Sequence, residues 1–178
     1  MTEKLQTELV EAALVGDINS FGQLARQYYP SMVAIGYSVL ADHQLAEDAA
    51  QEAFARALSS LRSLKNKRKF VPWLAAICRN VAKDMVASKA RQVNTGDLSG
   101  VPENKKQNDS VYAVRRAVEQ LSVSARELIV LRYYDGLSYE EISSVLQVSK
   151  ATINGRLTRA KRKIAKYLKR NGFLEDQL

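Results

Sequence analysis

The chain has 178 residues, 46% of them hydrophobic, and carries 27 Lys and Arg against 19 Asp and Glu, a formal net charge of +8 at pH 7. That length and apolar content fit one medium or two small folded domains and exclude disorder as the default state, while the cationic excess favours a polyanionic partner. A single Cys and a single His exclude an intrachain disulfide and the usual protein metal sites, so neither a metal nor a cofactor is expected.

The opening stretch MTEKLQTELVEAA is amphipathic and partly acidic, with no long apolar core. It reads as neither a signal peptide nor a membrane span, and it predicts a cytoplasmic protein without membrane insertion. Three Pro, eight Gly and almost no alternating β-branched runs predict an all-α chain. Helices are expected over residues 4–15, 21–40, 43–62, 72–90, 110–121, 125–134, 139–146 and 150–170. Ser20 with Gln23, and Ser124 with Glu127, stand in capping-box spacing, and Pro72 suits a first helical turn. Pro30 and Pro102 act as punctuation, and Gly136 is a natural stop. His43, in the polar stretch ADHQLAED, reads as a surface residue, and Cys78, in LAAICRNVA, as a buried small side chain.

On the expected helix 43–62, Ala46, Ala50, Ala53, Phe54, Ala57, Leu58 and Leu61 gather on one side, with Asp48, Gln51, Glu52 and Ser59 on the other. Asp48 and Glu52 are a like-charge i, i+4 pair, which costs an isolated helix a few tenths of a kcal/mol. A basic protein partner would offset that cost; an ordinary solvated acidic face is the other reading.

The charge then changes sign. From Ala53 to Lys83 there is no acidic residue, while Arg56, Arg62, Lys65, Lys67, Arg68, Lys69, Arg79 and Lys83 accumulate. The loop SLKNKRKF leads into a helix whose buried stripe should be Leu74, Ile77, Cys78, Val81 and Met85, with Trp73, Ala76, Arg79, Asn80, Lys83 and Asp84 opposite. Cations neutralise phosphates, aromatic rings stack on unpaired bases and Asn bonds a base edge, a combination suited to single-stranded or partly opened DNA. For Trp73 and Phe70, core packing at the helix entry is the competing role.

The stretch QVNTGDLSGVPENKKQND, rich in Gly, Pro, Asn, Asp and Ser, reads as a flexible linker. The expected organisation is an N-terminal helical domain over 1–91, a linker over 92–110 and a C-terminal helical domain over 111–178. The C-terminal domain holds a helix-turn-helix pattern. Ser138 and Glu141 have capping-box spacing, Gln147 and Val148 form the turn, and Ser149 caps the long helix that follows. On that helix Ile153, Leu157, Ala160, Ile164 and Leu168 form one apolar stripe. The opposite side carries Ala151, Thr152, Gly155, Thr158, Arg159, Arg162 and Lys166, flanked by Lys150, Asn154 and Arg156, with no acidic residue between Ser149 and Leu174. This is the pattern of a DNA-reading helix, against the blander reading of a solvated basic face.

In this order the motifs resemble those of bacterial RNA polymerase sigma factors of the extracytoplasmic-function class, the small two-domain group of the sigma-70 family, over nearly the whole chain. The resemblance implies a non-enzymatic factor that binds core RNA polymerase and promoter DNA and is a target for an anti-sigma factor. LAEDAAQEAFARAL is similar to the family's polymerase-binding helix, which assigns Asp48, Gln51 and Glu52 to that contact. KFVPWLAAICRNVAKDM and its preceding loop are similar to the segment that melts and reads the minus-ten element. That match assigns Arg62, Lys65, Lys67, Arg68, Lys69, Trp73, Arg79, Asn80 and Lys83 to the opened strand. LSVSARELIVLRYYDGLSYEEISSVLQVSKATINGRLTRAKRKI is similar to the reader of the minus-thirty-five element. It assigns Lys150, Thr152, Asn154, Gly155, Arg156, Thr158, Arg159, Arg162, Lys163 and Lys166 to DNA.

The chain departs from the family pattern at Gln147, where Gly is usual, and at Asn154 and Gly155, where a basic residue is followed by Ser. Two other functions are the alternatives: a stand-alone transcriptional regulator that shares only the helix-turn-helix, and a sigma-mimicking adaptor that binds an anti-sigma protein without touching DNA, against which the unbroken basic helix from Lys150 to Arg170 argues.

Overall fold

The structure is a computed structural model and describes residues 2–92 and 109–173. Among the described residues every regular element is a helix, and the helices form two compact units. The first holds α1 (Glu3–Leu14), α2 (Ile18–Leu40), α3 (His43–Ser60) and α4 (Phe70–Gln92); the second holds α5 (Asp109–Glu119), α6 (Val123–Ile129), most of α7 (Tyr139–Leu146) and α8 (Lys150–Arg170). The expected linker over 92–110 lies outside the described residues except at its ends, where Gln92 closes α4 and Asp109 opens α5.

Two helix starts differ from the expected caps. Gly16, at φ +100°, turns the chain early enough for Asp17 to cap α2, its carboxylate accepting from Asn19 N at 3.0 Å and Ser20 Oγ at 2.6 Å. Ser20 therefore sits buried within the first turn instead of forming a box with Gln23. At α6 the extended cap residue is Ser122, two positions before Ser124, so Ser124 lies inside the first turn, and Glu127 is buried. The buried Leu121 fixes where that helix begins. The expected single helix over 125–134 is α6 followed by a π-helical turn, Val130–Tyr134, and Gly136 at φ +70° ends it.

In the first unit, α2 packs on α3 and α4, and α1 packs on α2. On α3 the buried residues include Ala46, Ala49, Ala50, Ala53 and Ala57, so the neighbouring backbones come close. One close approach is at Gly36 of α2, where an added Cβ would stand 3.0 Å from the Ala46 carbonyl oxygen. Phe54 fills the wider part of the core, edge-on to Phe21 and stacked with Tyr29, each at 6.4 Å between ring centres. Leu58, expected on this apolar side, is 42% exposed, because it lies about 100° around the helix from Ala57. From α4, Phe70, Leu74, Ala75, Cys78, Val81 and Ala82 are buried, while Ile77 and Met85 are only half-buried. Each large apolar side chain buried here contributes about 1.5–3 kcal/mol.

In the second unit α5 and α6 pack against α8. Ile153, Leu157 and Ala160 are buried, as are Leu128 and Leu131. Ile164 and Leu168, expected on the same stripe, are half-buried. The reason is length, since α8 has 21 residues against 11 in α5 and 7 in α6. Beyond the packed segment, Gly172 at φ +75° and the bond from Phe173 N to the Leu168 carbonyl close the helix in a Schellman motif.

Candidate nucleic-acid interface

The acidic side of α3 faces α4 across a shallow groove of about 650 Å³, lined by Asp48, Gln51, Glu52, Ala55 and Arg56 of α3 and by Val81, Asp84, Met85 and Ser88 of α4. Asp48 and Gln51 are exposed. Arg56 spans the groove, its Nε 2.7 Å from Glu52 Oε1 and its Nη1 3.5 Å from Asp84 Oδ2. The Glu52 hydrogen bond, foremost, raises the Arg56 pKa above the ordinary value. The like-charge cost within α3 is therefore offset inside the chain at Glu52, without a partner, and Asp48 is left as the acid with no ion pair among the described residues. The sequence places Arg56 in a cationic run and Asp84 on the outward side of α4, but not their pairing across the groove, because it depends on how α3 and α4 pack.

Between α3 and α4 the chain makes two short 3-10 turns, Leu61–Ser63 and Lys67–Lys69. Buried Leu61 and Leu64 pin the loop from below, and Asn66 caps the second turn by accepting from Arg68 N at 3.1 Å. Arg62 and Lys65 are exposed and make no ion pair among the described residues. Lys67 and Arg68 are engaged with α1: Lys67 Nζ lies 2.8 Å from Glu11 Oε1, and Arg68 Nε lies 3.7 Å from Glu3 Oε1. Of the two aromatic residues at the helix entry, Phe70 is fully buried and serves the core. Trp73 is half-exposed against it, with ring centres 6.0 Å apart. Asn80 and Lys83 are exposed on the outward side of α4, and Arg79 is half-exposed beside them.

The helix-turn-helix forms as its caps require. Ser138 and Glu141 close a reciprocal capping box at the start of α7. Gln147 ends α7 in the left-handed region, at φ 58° and ψ 43°. The turn is tied by Ser143 Oγ donating to the Val148 carbonyl at 2.7 Å, and Ser149 caps α8 by accepting from Thr152 N at 3.2 Å. Arg132 braces the approach, donating to the Leu137 carbonyl at 2.8 Å with its guanidinium 5.3 Å from the Tyr139 ring centre.

Along α8 the expected DNA residues divide. Asn154, Thr158, Arg159, Arg162 and Lys166 are exposed; Thr152, Gly155 and Arg156 are half-exposed. Lys150 is paired with Glu140 of α7 at 2.7 Å, and Lys163 Nζ donates to the Gln120 carbonyl at the end of α5. The Thr158 hydroxyl donates to the backbone carbonyl of Asn154 at 2.9 Å, and Asn154 itself is exposed. Arg156, Arg159 and Lys163 line a smaller groove, about 330 Å³, with Ser122 and Ser124. Such a surface is able to neutralise phosphates and present base-edge donors. Among the described residues no helix is long and apolar enough to cross a membrane, and no cluster of His, Cys, Asp and Glu has the makings of a metal site.

Comparison with known proteins follows the two units. The family model for sigma-70 region 2 matches residues 24–92, and that for sigma-70 region 4 matches residues 112–164. The chain is 29% identical to the RNA polymerase sigma-H factor of Pseudomonas aeruginosa, over 94% of this chain and 96% of that protein. It is also 29% identical to the ECF RNA polymerase sigma-E factor of Escherichia coli K12, over 92% and 95%. Among solved structures, the sigma factor RpoE in complex with the anti-sigma factor NepR from Bartonella quintana matches with a TM-score of 0.68 and 25% identity, over 85% of this chain and 98% of that one. CnrH in complex with the cytosolic domain of CnrY shares the fold, with a TM-score of 0.69 and 24% identity over 93% and 97%.

Proposed function

This chain belongs to the extracytoplasmic-function class of the sigma-70 family, and from that premise we propose how its surfaces serve promoter-specific transcription initiation by core RNA polymerase. Asp48 and Gln51, with Glu52 held by Arg56, form the contact with the polymerase. The loop over 61–69 and the outward side of α4 take the opened minus-ten strand. There Arg62, Lys65, Lys69 and Lys83 neutralise phosphates, Arg79 and Asn80 reach base edges, and Trp73 offers a stacking surface. On duplex DNA α8 enters the major groove of the minus-thirty-five element. Asn154, Thr158 and Arg159 discriminate bases, with Asn154 suited to an adenine edge. Arg156, Arg162 and Lys166 supply phosphate contacts, and Lys150 and Lys163 exchange their Glu140 and Gln120 partners for phosphate. Thr152 and Gly155 lie at the line of closest approach.

The factor makes and breaks no covalent bond; it selects the promoter and stabilises its opening, in the cytoplasm where the polymerase works. An anti-sigma factor regulates it by covering its polymerase-binding surfaces, in keeping with the RpoE and NepR complex.

The observation that carries this reading is a capped helix-turn-helix with an acid-free α8, in one chain with an acidic groove and a basic loop on a separate unit. Run-off transcription with core polymerase on a randomised promoter library tests it. Selected products that require the chain are expected; no product from a folded chain and a compatible polymerase overturns the reading. The helix-turn-helix taken alone also fits a stand-alone regulator, which predicts tight specific duplex binding in a gel shift without polymerase.

A further inference from the structure

The loop over 61–69 is tied to a helix distant in sequence. Lys67 pairs with Glu11 at 2.8 Å across 56 positions, and Arg68 approaches Glu3 at 3.7 Å, two turns earlier on the same helix. Helix α1 is itself fixed to the body of the unit. Its Leu9, Val10 and Ala13 are buried, and Gln6 accepts a hydrogen bond from Tyr28 of α2 at 2.8 Å. At the other end, Tyr28 packs on Phe70, the buried residue that follows the loop, with ring centres 6.0 Å apart. The loop is therefore held at its base by Leu61, Leu64 and Phe70 and along its cationic stretch by two carboxylates of α1.

This arrangement competes with a direct role for Lys67 and Arg68 on DNA. A lysine held by a carboxylate must lose that partner before it neutralises a phosphate, whereas Arg62 and Lys65 on the same loop have no ion-pair partner among the described residues. We propose that Glu11, assisted by Glu3, is a positioning residue: it holds Lys67 as a tether that sets the conformation of the loop, so that Arg62 and Lys65 meet the opened strand and Lys67 serves position instead of charge. The proposal rests on the reading of this loop as the part that receives the minus-ten strand.

Two measurements separate the tether from that reading. The first, amide hydrogen exchange of residues 61–69 in the full chain without DNA, depends on the tether alone. Glu11→Gln is expected to speed exchange about two- to fivefold, the range an exposed ion pair supports. A Glu11→Lys and Lys67→Glu exchange of charges is expected to restore the slow rate. The second is binding of a single-stranded minus-ten oligonucleotide by the chain with core polymerase, as a function of salt. If Lys67 is a tether, Lys67→Gln leaves the slope of log affinity against log salt unchanged while lowering base discrimination about two- to fivefold, and the charge exchange restores discrimination. If Lys67 is a phosphate ligand, Lys67→Gln flattens the slope by about 0.7. That result, or loop exchange indifferent to Glu11→Gln, overturns the proposal. A wild-type complex with no base discrimination removes the strand-reading role of the loop, and the exchange rates still decide the tether.

Discussion

Ala41 and Gln147 are the two residues other than Gly at positive φ among the described residues, and each ends a helix. A left-handed residue with a Cβ costs roughly 1–2 kcal/mol, which Gly avoids at the expense of a more flexible unfolded chain. Ala41→Gly is therefore expected to raise stability by about 1 kcal/mol in urea denaturation. The Gln147 strain was half legible, since the family's preference for Gly marks the place but only the backbone shows the angle. At the start of α2, the Ser20 hydroxyl, foremost, holds the Asp17 carboxyl below its ordinary pKa. A carboxylate with a lowered folded pKa stabilises the protein above its unfolded pKa, about 3.9, and loses that contribution as pH falls through the folded value. Melting curves between pH 2 and pH 6 should accordingly fall less steeply with acidification in Asp17→Asn than in the wild type. On the proposed DNA surface, Arg159→Ala should cost about 1–3 kcal/mol at one base pair if its guanidinium grips a guanine. A preference unchanged across a library of upstream elements would remove Arg159 from base reading.

At the scale of elements, two glycines inside helices have opposite reasons. Gly36 lies where α2 crosses α3, and a Cβ there would meet backbone atoms of Ala46 at 3.0 and 3.1 Å. Backbone does not yield as a side chain does, so Gly36→Ala is expected to destabilise by about 1–3 kcal/mol. Gly155, within α8, has open space around it. Gly155→Ala should then stabilise the helix by about 1 kcal/mol, while narrowing the gap available to DNA; thermal melting and promoter binding of the same variant read both effects. The helices themselves were largely legible, because caps, apolar stripes and glycine stops are local in sequence. The expected capping boxes at Ser20 and Ser124 were not formed. Gly16 and Leu121 turn the chain earlier, and a cap belongs to whichever residue stands at the turn.

At the scale of the whole molecule, charge is divided between the acidic groove of the first unit and the cationic side of α8, with the tied basic loop on the first unit as well. Reversing Asp48 and Glu52 to Lys is expected to weaken binding to core polymerase, and normal co-purification of that double variant would reduce the acidic side of α3 to a solvated face. Sequence by itself determined the all-α class, the family and the position of the helix-turn-helix, since these rest on periodicity, capping residues and motif order, which are properties of consecutive residues. Tertiary structure alone decided which charges meet. Arg56 reaches Asp84, Lys67 pairs with Glu11, and Lys163 with the end of α5. Each joins groups on different elements, and the strength of a charge contact depends on a distance of a few ångströms that only packing sets.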